Sequence, residues 1–574
     1  MDRAKVGDRA RDSDRARALA WMAQDPDAST RAALGFLIEA ADGGDDDARL
    51  ELASAFTGRL QFGTAGLRGA LGPGPNRMNR VVVRQAAAGL AAYVREHQGH
   101  AIVIGFDARH QSDAFARESA AVFAGAGLRA LVLPRALPTP VLAYAVRHLG
   151  CAAGVMVTAS HNPPADNGYK VYLGDGSQIV PPADAEISAH IERIAALPLD
   201  AIPLDDAWET LGEEILSDYI ATAASLVQQR GARHPRIAYT PMHGVGGAVF
   251  ASALRAAGFP EPIVVAQQWE PDPDFPTVAF PNPEEPGAMD LALATAERSD
   301  ADLVIAHDPD ADRCAVGIRQ SGSGASTSWR MLTGDELGSI LAWWLTNRSP
   351  SEGGRKGGVL AQSIVSGTML ASIAQAAGQD YVQTLTGFKW ISRVPNLRFG
   401  YEEALGYCVD PEHVRDKDGI TAGLLIVELA SFLLEQGRTL QDVLDDLDCA
   451  HGVHATEQVA VRLANPELIA TVMDRLRTHP PTTVAGIAVE RIDDLELGID
   501  DLPSTDGLRI NLARGCRVIV RPSGTEPKVK CYLQVIELVD RDAEGALAQA
   551  RQAARSRLDA LKADVQAWLM PGRG

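Results

Sequence analysis

The chain has 574 residues, of which 46% are hydrophobic and 22% are charged, and its mean hydropathy is close to zero. This length predicts three or four domains, and the lack of an apolar run of about 18 residues argues against a membrane-spanning helix. A formal net charge of −20 disfavours nucleic acid as a partner, because binding the phosphate backbone needs clustered lysine and arginine.

The first twenty residues, MDRAKVGDRARDSDRARALA, are densely charged and lack the apolar core of a secretory signal. Their interspersed aspartates favour a solvated helix over a transit peptide. The six cysteines are far apart and form no CxxC pair, which predicts neither a zinc site nor a disulfide framework. We therefore expect a cytoplasmic protein.

Helical patterns dominate residues 10–57, where ALAWMA and AALGFLIEAA supply apolar stripes. From about residue 80, helix-like and strand-like segments alternate, as in VVVRQAAAGLAAYVREH followed by AIVIGFD. The same alternation begins again near residue 213 and near residue 330. It predicts three consecutive α/β units with parallel, doubly wound sheets.

After about residue 450 the pattern changes to strand-like segments joined by turns, followed by one long helix. This predicts an α+β domain built on an antiparallel sheet. We expect linkers at SGSGAST near residue 321 and at DLDCAHG near residue 447. The expected domains are residues 1–212, 213–328, 329–450 and 451–574.

The motif HDPDADR places Asp308, Asp310 and Asp312 directly after the apolar strand ADLVIA. Carboxylates at alternate positions of a loop can converge on one hard divalent cation, and ligation by oxygen alone suits Mg²⁺. A calcium-binding EF-hand is excluded, because Arg313 and Arg319 occupy its glycine and glutamate positions. The alternative is an acidic surface turn.

The motif RPSGTEPKVK, at residues 521–530, predicts a phosphate-binding turn. Arg521 offers a bidentate fork, Ser523 and Thr525 offer hydroxyls, and Gly524 lets backbone N–H groups approach an anion. The alternative is an ordinary Pro-Ser-Gly turn between strands. The spacing does not match a Walker loop.

The apolar run VMV breaks abruptly at Ser160 and His161, and a lysine follows ten residues after the serine. A hydrolase dyad is disfavoured, because adjacent side chains at the end of an extended strand point to opposite sides and no GxSxG elbow is present. The pair Gly244 and Gly246 resembles a dinucleotide fingerprint, but Val249 stands at the third glycine position. A serine, three carboxylates and a phosphate-binding turn together indicate phosphoryl transfer through a phosphoserine.

Seven motifs carry a resemblance to a known family. They are FGTAGLRG, TASHNPPADNGYK, HDPDADR, TLTGFKW, YEEALGY, DKDG and RPSGTEPKVK. In this order they resemble the phosphoglucomutase/phosphomannomutase family, the α-D-phosphohexomutases, from about residue 60 onward. The motif TPMHGVGG and the extra N-terminal helices look closest to the branch that includes phosphopentomutase and glucose 1,6-bisphosphate synthase activities.

The resemblance implies three similar doubly wound α/β domains and a C-terminal α+β domain around one central cleft. It implies roles in catalysis for Ser160, His161, Lys170, Arg68 and Lys417, with Ser160 as the phosphorylated nucleophile. It implies that phosphorylated Ser160 shares Mg²⁺ with Asp308, Asp310 and Asp312. It implies that the substrate is bound by Arg313, Thr386, Gly387, Lys389, Glu402, Glu403, Arg521, Ser523, Gly524, Thr525 and Lys530.

The activity implied is a phosphosugar mutase that interconverts the 1-phosphate and 6-phosphate of glucose or mannose through a bisphosphate, with glucose 1,6-bisphosphate or an equivalent as activator. Ala404 stands where many glucose-specific members carry a serine, so phosphopentomutase and glucose 1,6-bisphosphate synthase remain alternatives. A phosphatase and a non-catalytic sugar-phosphate binder are further alternatives. The expected partners are small phosphosugars, with no membrane or nucleic acid, and the expected state is a monomer or homodimer.

Overall fold

The computed structural model describes residues 3–63, 66–228, 231–320, 328–348, 357–462, 466–499, 502–522 and 528–569. They form two compact units. The first comprises Met1–Gln228, His234–Arg330 and Tyr407–Val427, and the second comprises Gln229–Arg233, Met331–Gly406 and Glu428–Gly574. The expected linker SGSGAST and the expected phosphate-binding residues Ser523, Gly524 and Thr525 lie outside the described residues.

The first unit begins with three helices, α1 (Arg3–Gln24), α2 (Ala28–Asp42) and α3 (Asp46–Phe56), as the sequence predicts. Asp27 and Asp45 cap α2 and α3 by accepting hydrogen bonds from backbone N–H groups of the first turn. The buried apolar face of α3 joins the core of the following domain. The N-terminal helices are therefore part of the folded unit.

A six-stranded sheet follows, in the order β1-β5-β4-β2-β3-β6. Its strands are β1 (Leu67–Ala70), β2 (Ala101–Phe106), β3 (Arg129–Val132), β4 (Ala153–Val157), β5 (Asp166–Leu173) and β6 (Glu209–Thr210). Its helices are α4 (Arg80–Glu96), α5 (Ser112–Gly125), α6 (Thr139–His148) and α7 (Ala183–Ala195). Strands β2, β3 and β4 are parallel, whereas β5 is antiparallel to β4, because the eight residues between them are too few for a crossover.

The next sheet has five strands in the order β11-β10-β9-β7-β8. Its strands are β7 (Ile237–Thr240), β8 (Ile263–Val264), β9 (Leu303–Ala306), β10 (Ala315–Gln320) and β11 (Ser328–Met331). Its helices are α8 (Glu214–Ser225), α9 (Gly246–Ala256) and α10 (Asp290–Arg298). As in the first sheet, a short loop at the end of a parallel strand, β9, leads into an antiparallel partner, β10.

In the second unit, β12 (Val359–Ser363) pairs in parallel with β13 (Asp380–Thr384) and with β14 (Leu397–Glu402). Strand β15 (Gly406–Cys408) carries the chain back to the first unit. The helices of this region are α11 (Gly334–Asn347), α12 (Met369–Ala376), α13 (Phe388–Ile391) and α15 (Leu440–His451), while α14 (Gly419–Glu435) begins in the first unit and ends in the second. The expected linker near residue 447 is wrong, because Val443, Leu444 and Leu447 are buried on α15 and hold it helical.

The C-terminal sheet is antiparallel, as predicted, in the order β16-β21-β20-β19-β18-β17. Its strands are β16 (Val453–Arg462), β17 (Thr483–Val484), β18 (Ile487–Asp494), β19 (Leu508–Leu512), β20 (Arg517–Pro522) and β21 (Lys528–Glu537). Helices α16 (Pro466–Thr478) and α17 (Ala546–Leu569) complete this domain.

Within the described parts of the chain, no single helix has both the length and the apolar character needed to cross a membrane. Helices α14 and α15 meet that test only as a pair, and the pair bends by 89°.

Candidate active site

Ser160 lies on the loop that leaves the carboxyl end of β4, and its backbone is left-handed, with φ +52°. The loop is held by hydrogen bonds to the neighbouring strand end. The Ser160 amide donates to Thr158 Oγ1 over 2.9 Å, and Thr158 Oγ1 donates to Asp107 Oδ2 over 2.6 Å. Because β2 and β4 are adjacent and parallel, their carboxyl ends bring Asp107 and Ser160 together.

Arg109 fixes the rest of this loop. Its Nη2 donates to the backbone oxygens of Ser160 and Asn162 over 2.5 and 2.6 Å. Its Nε lies 3.4 Å from Asp107 Oδ2, and the side chain is buried. Asp107 and Arg109 were not predicted from the sequence. Their position could have indicated them, because the motif FDAR comes at the end of a buried strand, as do the loops that carry Ser160 and the three aspartates.

The hydroxyl of Ser160 donates a 2.7 Å hydrogen bond to Asp308 Oδ2. It also lies 3.2 Å from His161 Nδ1. The expectation that Ser160 and His161 point to opposite sides is wrong, because that argument assumed an extended backbone and the left-handed turn at Ser160 brings both side chains to one side.

The three predicted metal ligands are buried on the loop between β9 and β10, and one oxygen of each lies within 4.8 Å of the others. Lys170 on β5 lies against two of them, with Nζ 2.7 Å from Asp310 Oδ2 and 2.9 Å from Asp312 Oδ2. Thr139 at the start of α6 donates to the same oxygen of Asp310 over 2.6 Å. The site therefore pairs a serine with a three-carboxylate cluster.

Lys417 also belongs to this cluster, since its Nζ lies 3.3 Å from Asp312 Oδ2. Its loop is fixed by Asp416, whose Oδ2 accepts hydrogen bonds from Tyr172 Oη at 2.6 Å and from Gln178 Nε2 at 2.7 Å. The DKDG motif is thus held against β5, the same strand that carries Lys170.

Two predicted cations lie around the edge of the site. Arg313 donates its backbone N–H to Asp308 Oδ1 over 3.1 Å, and its Nε lies 3.9 Å from Asp308 Oδ2 and from Asp312 Oδ1. Arg68 on β1 is exposed and donates to Asn162 Oδ1 over 3.1 Å. Arg68 therefore contacts the serine loop, while Arg313 contacts the carboxylates.

The glycine pair that resembled a dinucleotide fingerprint has a packing role. A Cβ on Gly244 would lie 2.3 Å from the backbone of Pro309, and one on Gly246 would lie 2.8 Å from Ala311 Cβ. The Val245 amide donates to the Pro309 carbonyl over 2.8 Å. Because these glycines lack a Cβ, the turn before α9 packs directly against the loop that carries Asp308, Asp310 and Asp312.

Charge and burial set the protonation of the cluster. Burial, and then the charges of Asp310 and Asp312, raise the pKa of Asp308 well above its usual range. Burial alone would raise the pKa of Asp312 too, but the ammonium groups of Lys170 and Lys417 hold it below its usual range. Burial, followed by the nearby arginines, lowers the pKa of His161 well below its usual value, so its imidazole is neutral.

The residues present fit a divalent cation. The donors are carboxylate oxygens, which suit Mg²⁺, and Oδ1 of Asp310 and of Asp312 is buried without a hydrogen-bond partner among the described residues. Buried acceptors of this kind are normally satisfied. A cation bound by Asp308, Asp310 and Asp312 would satisfy them and would lie beside Ser160 Oγ.

In the second unit, a cavity of about 220 Å³ is lined by several predicted substrate residues. Thr386 and Lys389 line it from the turn after β13, where Gly387 adopts φ +109°. Arg521 lines it from the end of β20. Three further residues, not predicted from the sequence, line the same cavity from the turn before β19: Ser504, Thr505 and Asp506.

Arg521 and Lys530 are direct cross-strand partners on β20 and β21. Residues opposite each other in an antiparallel pair project to the same face, and like charges in that position repel. An anion bound between them would remove the repulsion. This pairing is a second feature, besides the cavity, that favours an anion site here.

Glu403, which follows β14, accepts hydrogen bonds through Oε2 from the hydroxyls of Ser363 and Ser366, at 3.0 and 2.9 Å. Burial, and then the carboxylates of Glu402 and Asp335, raise the pKa of Glu403 to about 7. Glu402 and Glu403 therefore form a carboxylate pair at the end of a strand, where hydrogen bonds to sugar hydroxyls are chemically suitable.

Comparison with known proteins adds further observations. Family models of phosphoglucomutase/phosphomannomutase alpha/beta/alpha domains I, II and III match residues 59–197, 217–322 and 333–448. The model of the C-terminal domain matches residues 458–549.

Two relatives and one solved structure are similar over most of their length. A probable phosphomannomutase of Haemophilus influenzae is 46% identical over 476 residues, which cover 82% of this chain and 96% of the relative. A phosphopentomutase of Homo sapiens is 35% identical over 568 residues, which cover 90% of each chain. The crystal structure of a putative phosphomannomutase from Thermus thermophilus has the same fold, with a TM-score of 0.64 at 24% identity, over 87% of this chain and 100% of that one.

Proposed function

Because the chain belongs to the phosphoglucomutase/phosphomannomutase family and is a phosphosugar mutase, we propose that it interconverts the 1-phosphate and 6-phosphate of glucose or mannose through phosphorylated Ser160. The observation that carries this proposal is the 2.7 Å hydrogen bond from Ser160 Oγ to Asp308 within a buried cluster of three carboxylates. A serine hydroxyl in that position is placed to carry a phosphoryl group beside a metal.

In the first half of the reaction, a sugar hydroxyl oxygen bonds to phosphorus as the bond from phosphorus to Ser160 Oγ breaks. The hydroxyl loses a proton, and Oγ gains one. His161 Nδ1 is 3.2 Å from Oγ, which is within reach for this exchange. The bisphosphate then reorients, and its other phosphate returns to Ser160 with the same balance of bonds and protons.

The main requirement of phosphoryl transfer is the neutralisation of negative charge, because that charge spreads over the phosphoryl oxygens in the transition state. Three carboxylates beside a phosphorylated serine would repel it strongly. A divalent cation bound to Asp308, Asp310 and Asp312 would neutralise part of this charge. Lys170 and Lys417 hold the carboxylates in place and keep Asp312 ionised.

The phosphate that does not react needs its own site. We assign it to the face that carries Arg521 and Lys530, with the turn at residues 523–525 as a further expected contact. Thr386 and Lys389 would orient the sugar, and Glu402 and Glu403 would accept hydrogen bonds from its hydroxyls. A bisphosphate such as glucose 1,6-bisphosphate would load Ser160 before the first turnover.

A phosphopentomutase is the second candidate. Two points favour it: the similarity to the human phosphopentomutase extends over 90% of this chain, and Ala404 stands where the family resemblance implies a serine in many glucose-specific members. A pentose phosphate would use the same serine chemistry, with the 5-phosphate in place of the 6-phosphate.

The test is ³¹P NMR of the purified protein with Mg²⁺ and a trace of glucose 1,6-bisphosphate. Glucose 1-phosphate, mannose 1-phosphate and ribose 1-phosphate are supplied separately. Conversion of a 1-phosphate into its 6- or 5-phosphate isomer is expected, and the fastest reaction identifies the sugar. Release of free phosphate, or no conversion of any of the three, would contradict the proposal.

A further inference from the structure

The first unit contains a cavity of about 310 Å³ that none of the predicted site residues lines. It lies where the N-terminal helices meet the first α/β domain. Its polar and aromatic lining residues are Arg17, Trp21 and Gln24 on α1, Phe56 at the end of α3, Arg59, and Gln85 on α4. We call this space the N-terminal cavity.

The charged residues that line the N-terminal cavity are both arginines. Two guanidinium groups line it, and no carboxylate is among its lining residues, although the chain has a net charge of −20. Arg17 Nη1 lies 3.5 Å from Asp14 Oδ1 on the same helix, and the Arg17 side chain is 47% exposed. Arg59 donates instead to a neutral partner, Gln85 Oε1, over 2.8 Å. Burial lowers the pKa of Arg59, with partial compensation by Glu192, so this guanidinium is partly desolvated and would gain from an anion.

Trp21 and Phe56 supply the aromatic part of the cavity lining. Trp21 is 6% exposed, and its indole Nε1–H is buried without a hydrogen-bond partner among the described residues. Trp21 and Phe56 meet edge to face with centroids 6.2 Å apart, and this pair forms an apolar wall beside the two arginines.

We infer that the N-terminal cavity binds a small organic anion, with its oxyanion between Arg17 and Arg59 and its apolar or aromatic body against Trp21 and Phe56. Phosphate and carboxylate groups share the required chemistry, since each presents two or more oxygens to a guanidinium fork. Gln24 and Gln85 supply amide groups for further polar atoms of the ligand. The volume of the cavity limits the ligand to a small metabolite.

The test is ¹⁹F NMR of the full-length protein labelled with 5-fluorotryptophan. The chain has eight tryptophans, so the Trp21 resonance is assigned by its loss in Trp21→Phe. The probes are phenyl phosphate, benzoate and the neutral analogue benzyl alcohol. We expect the Trp21 resonance to shift saturably with phenyl phosphate or benzoate, with a dissociation constant of about 1 mM or tighter. Whichever of phenyl phosphate and benzoate binds more tightly shows whether the cavity prefers a phosphate or a carboxylate group.

The variants Arg17→Gln and Arg59→Gln should each weaken this binding by about tenfold or more, because each removes a charged donor. Arg59→Gln also loses the hydrogen bond to Gln85, and Arg17→Gln also loses the contact with Asp14 and the position of its guanidinium over the Phe56 ring, so the two variants are compared with each other. Arg15→Gln is the matched control on the same helix, since Arg15 pairs with Asp42 and does not line the cavity.

Three results would overturn the inference. One is the lack of a saturable shift of the Trp21 resonance with either anion. Another is equal affinity in the wild type and in both arginine variants. The third is an affinity for benzyl alcohol equal to that for the anions. Because the readout is binding at Trp21, these results are independent of whether the mutase activity is found.

Discussion

The hydroxyl of Ser160 donates a 2.7 Å hydrogen bond to the carboxylate of Asp308, although 148 residues separate them along the chain. Each residue lies on a short loop at the carboxyl end of a parallel strand, β4 for Ser160 and β9 for Asp308, and each loop leads into an antiparallel partner strand. Two copies of the same local arrangement thus provide the candidate nucleophile and the candidate metal ligands.

The first prediction concerns the support of the serine loop. Replacing Arg109 by Lys keeps the charge but removes the fork that binds the carbonyls of Ser160 and Asn162. We expect kcat to fall by about 10- to 100-fold with little change in KM, because Ser160 Oγ is displaced from its reacting position. Steady-state kinetics with the preferred sugar phosphate measure this.

The control for Arg109 is Arg129→Lys, at an exposed arginine of the same domain that pairs with Glu209. It should retain the wild-type kcat. If the Arg109 variant also keeps a wild-type kcat, the loop does not depend on this side chain.

The overall fold could be predicted from the sequence to a large extent. The alternation of helices and apolar strands predicted the three α/β domains, and the loss of that alternation after residue 450 marked the antiparallel domain. The sequence identified one carboxylate cluster, Asp308, Asp310 and Asp312, because residues at alternate positions of one short loop remain close together in the folded protein.

What could not be predicted depends on non-local packing or on a single backbone angle. Nothing in the chain near Ser160 reveals the left-handed φ that turns His161 toward Oγ. Arg109 lies about 50 residues before the loop it holds, and its role follows only from the adjacency of β2 and β4. The linker expected near residue 447 was wrong because Leu440, Val443, Leu444 and Leu447 recur at helical spacing and are buried along one face of α15.

The second prediction concerns the facing cations Arg521 and Lys530. Lys530→Gln should raise KM for the sugar phosphate by about tenfold, because a charged contact to phosphate is lost. The ligand-free protein should be as stable as the wild type, or more stable by about 0.2–1 kcal/mol, because a like-charge repulsion is relieved. Steady-state kinetics and urea unfolding test the two parts.

The exposed Arg555 of α17 supplies the control, as Arg555→Gln removes the same charge from the same domain and should leave KM unchanged. A Lys530→Gln protein with unaltered KM would show that the phosphate binds elsewhere.

The third prediction follows from the pKa of Glu403, which is raised from 4.5 to about 7 in the folded protein. The folded state keeps a proton that the unfolded chain has released between about pH 4.5 and 7. The free energy of unfolding should therefore fall as pH rises through this window, by up to about 3 kcal/mol from this group. Glu403→Gln should remove this part of the pH dependence.

Urea unfolding of the wild type and Glu403→Gln at pH 5, 6, 7 and 8 would isolate the contribution of Glu403 as the difference between the two curves. A difference that is constant over this range would mean that Glu403 titrates at its ordinary pKa.

The fourth prediction concerns the metal. A chelator should abolish mutase activity and added Mg²⁺ should restore it, because a phosphate on Ser160 would lie beside three carboxylates. Asp310→Asn removes one anionic ligand and should weaken Mg²⁺ binding, measured by titration calorimetry, by about tenfold or more. Asp113→Asn, on the exposed face of α5, is the control that should bind Mg²⁺ like the wild type. Equal Mg²⁺ affinity in the Asp310 variant would refute the assignment of this cluster.

The central claim is that Ser160 carries the transferred phosphoryl group, and peptide mass spectrometry tests it most directly. The protein is incubated with Mg²⁺ and glucose 1,6-bisphosphate, freed of small molecules and digested, before and after addition of the preferred sugar monophosphate. Ser160→Ala is compared with Ser177→Ala, which removes a buried hydroxyl of the same domain outside the site. We predict one phosphate on Ser160 in the wild type and in Ser177→Ala, lost to the sugar as a bisphosphate, and none in Ser160→Ala. Phosphate on another residue, or turnover by Ser160→Ala near the wild-type rate, would contradict the account.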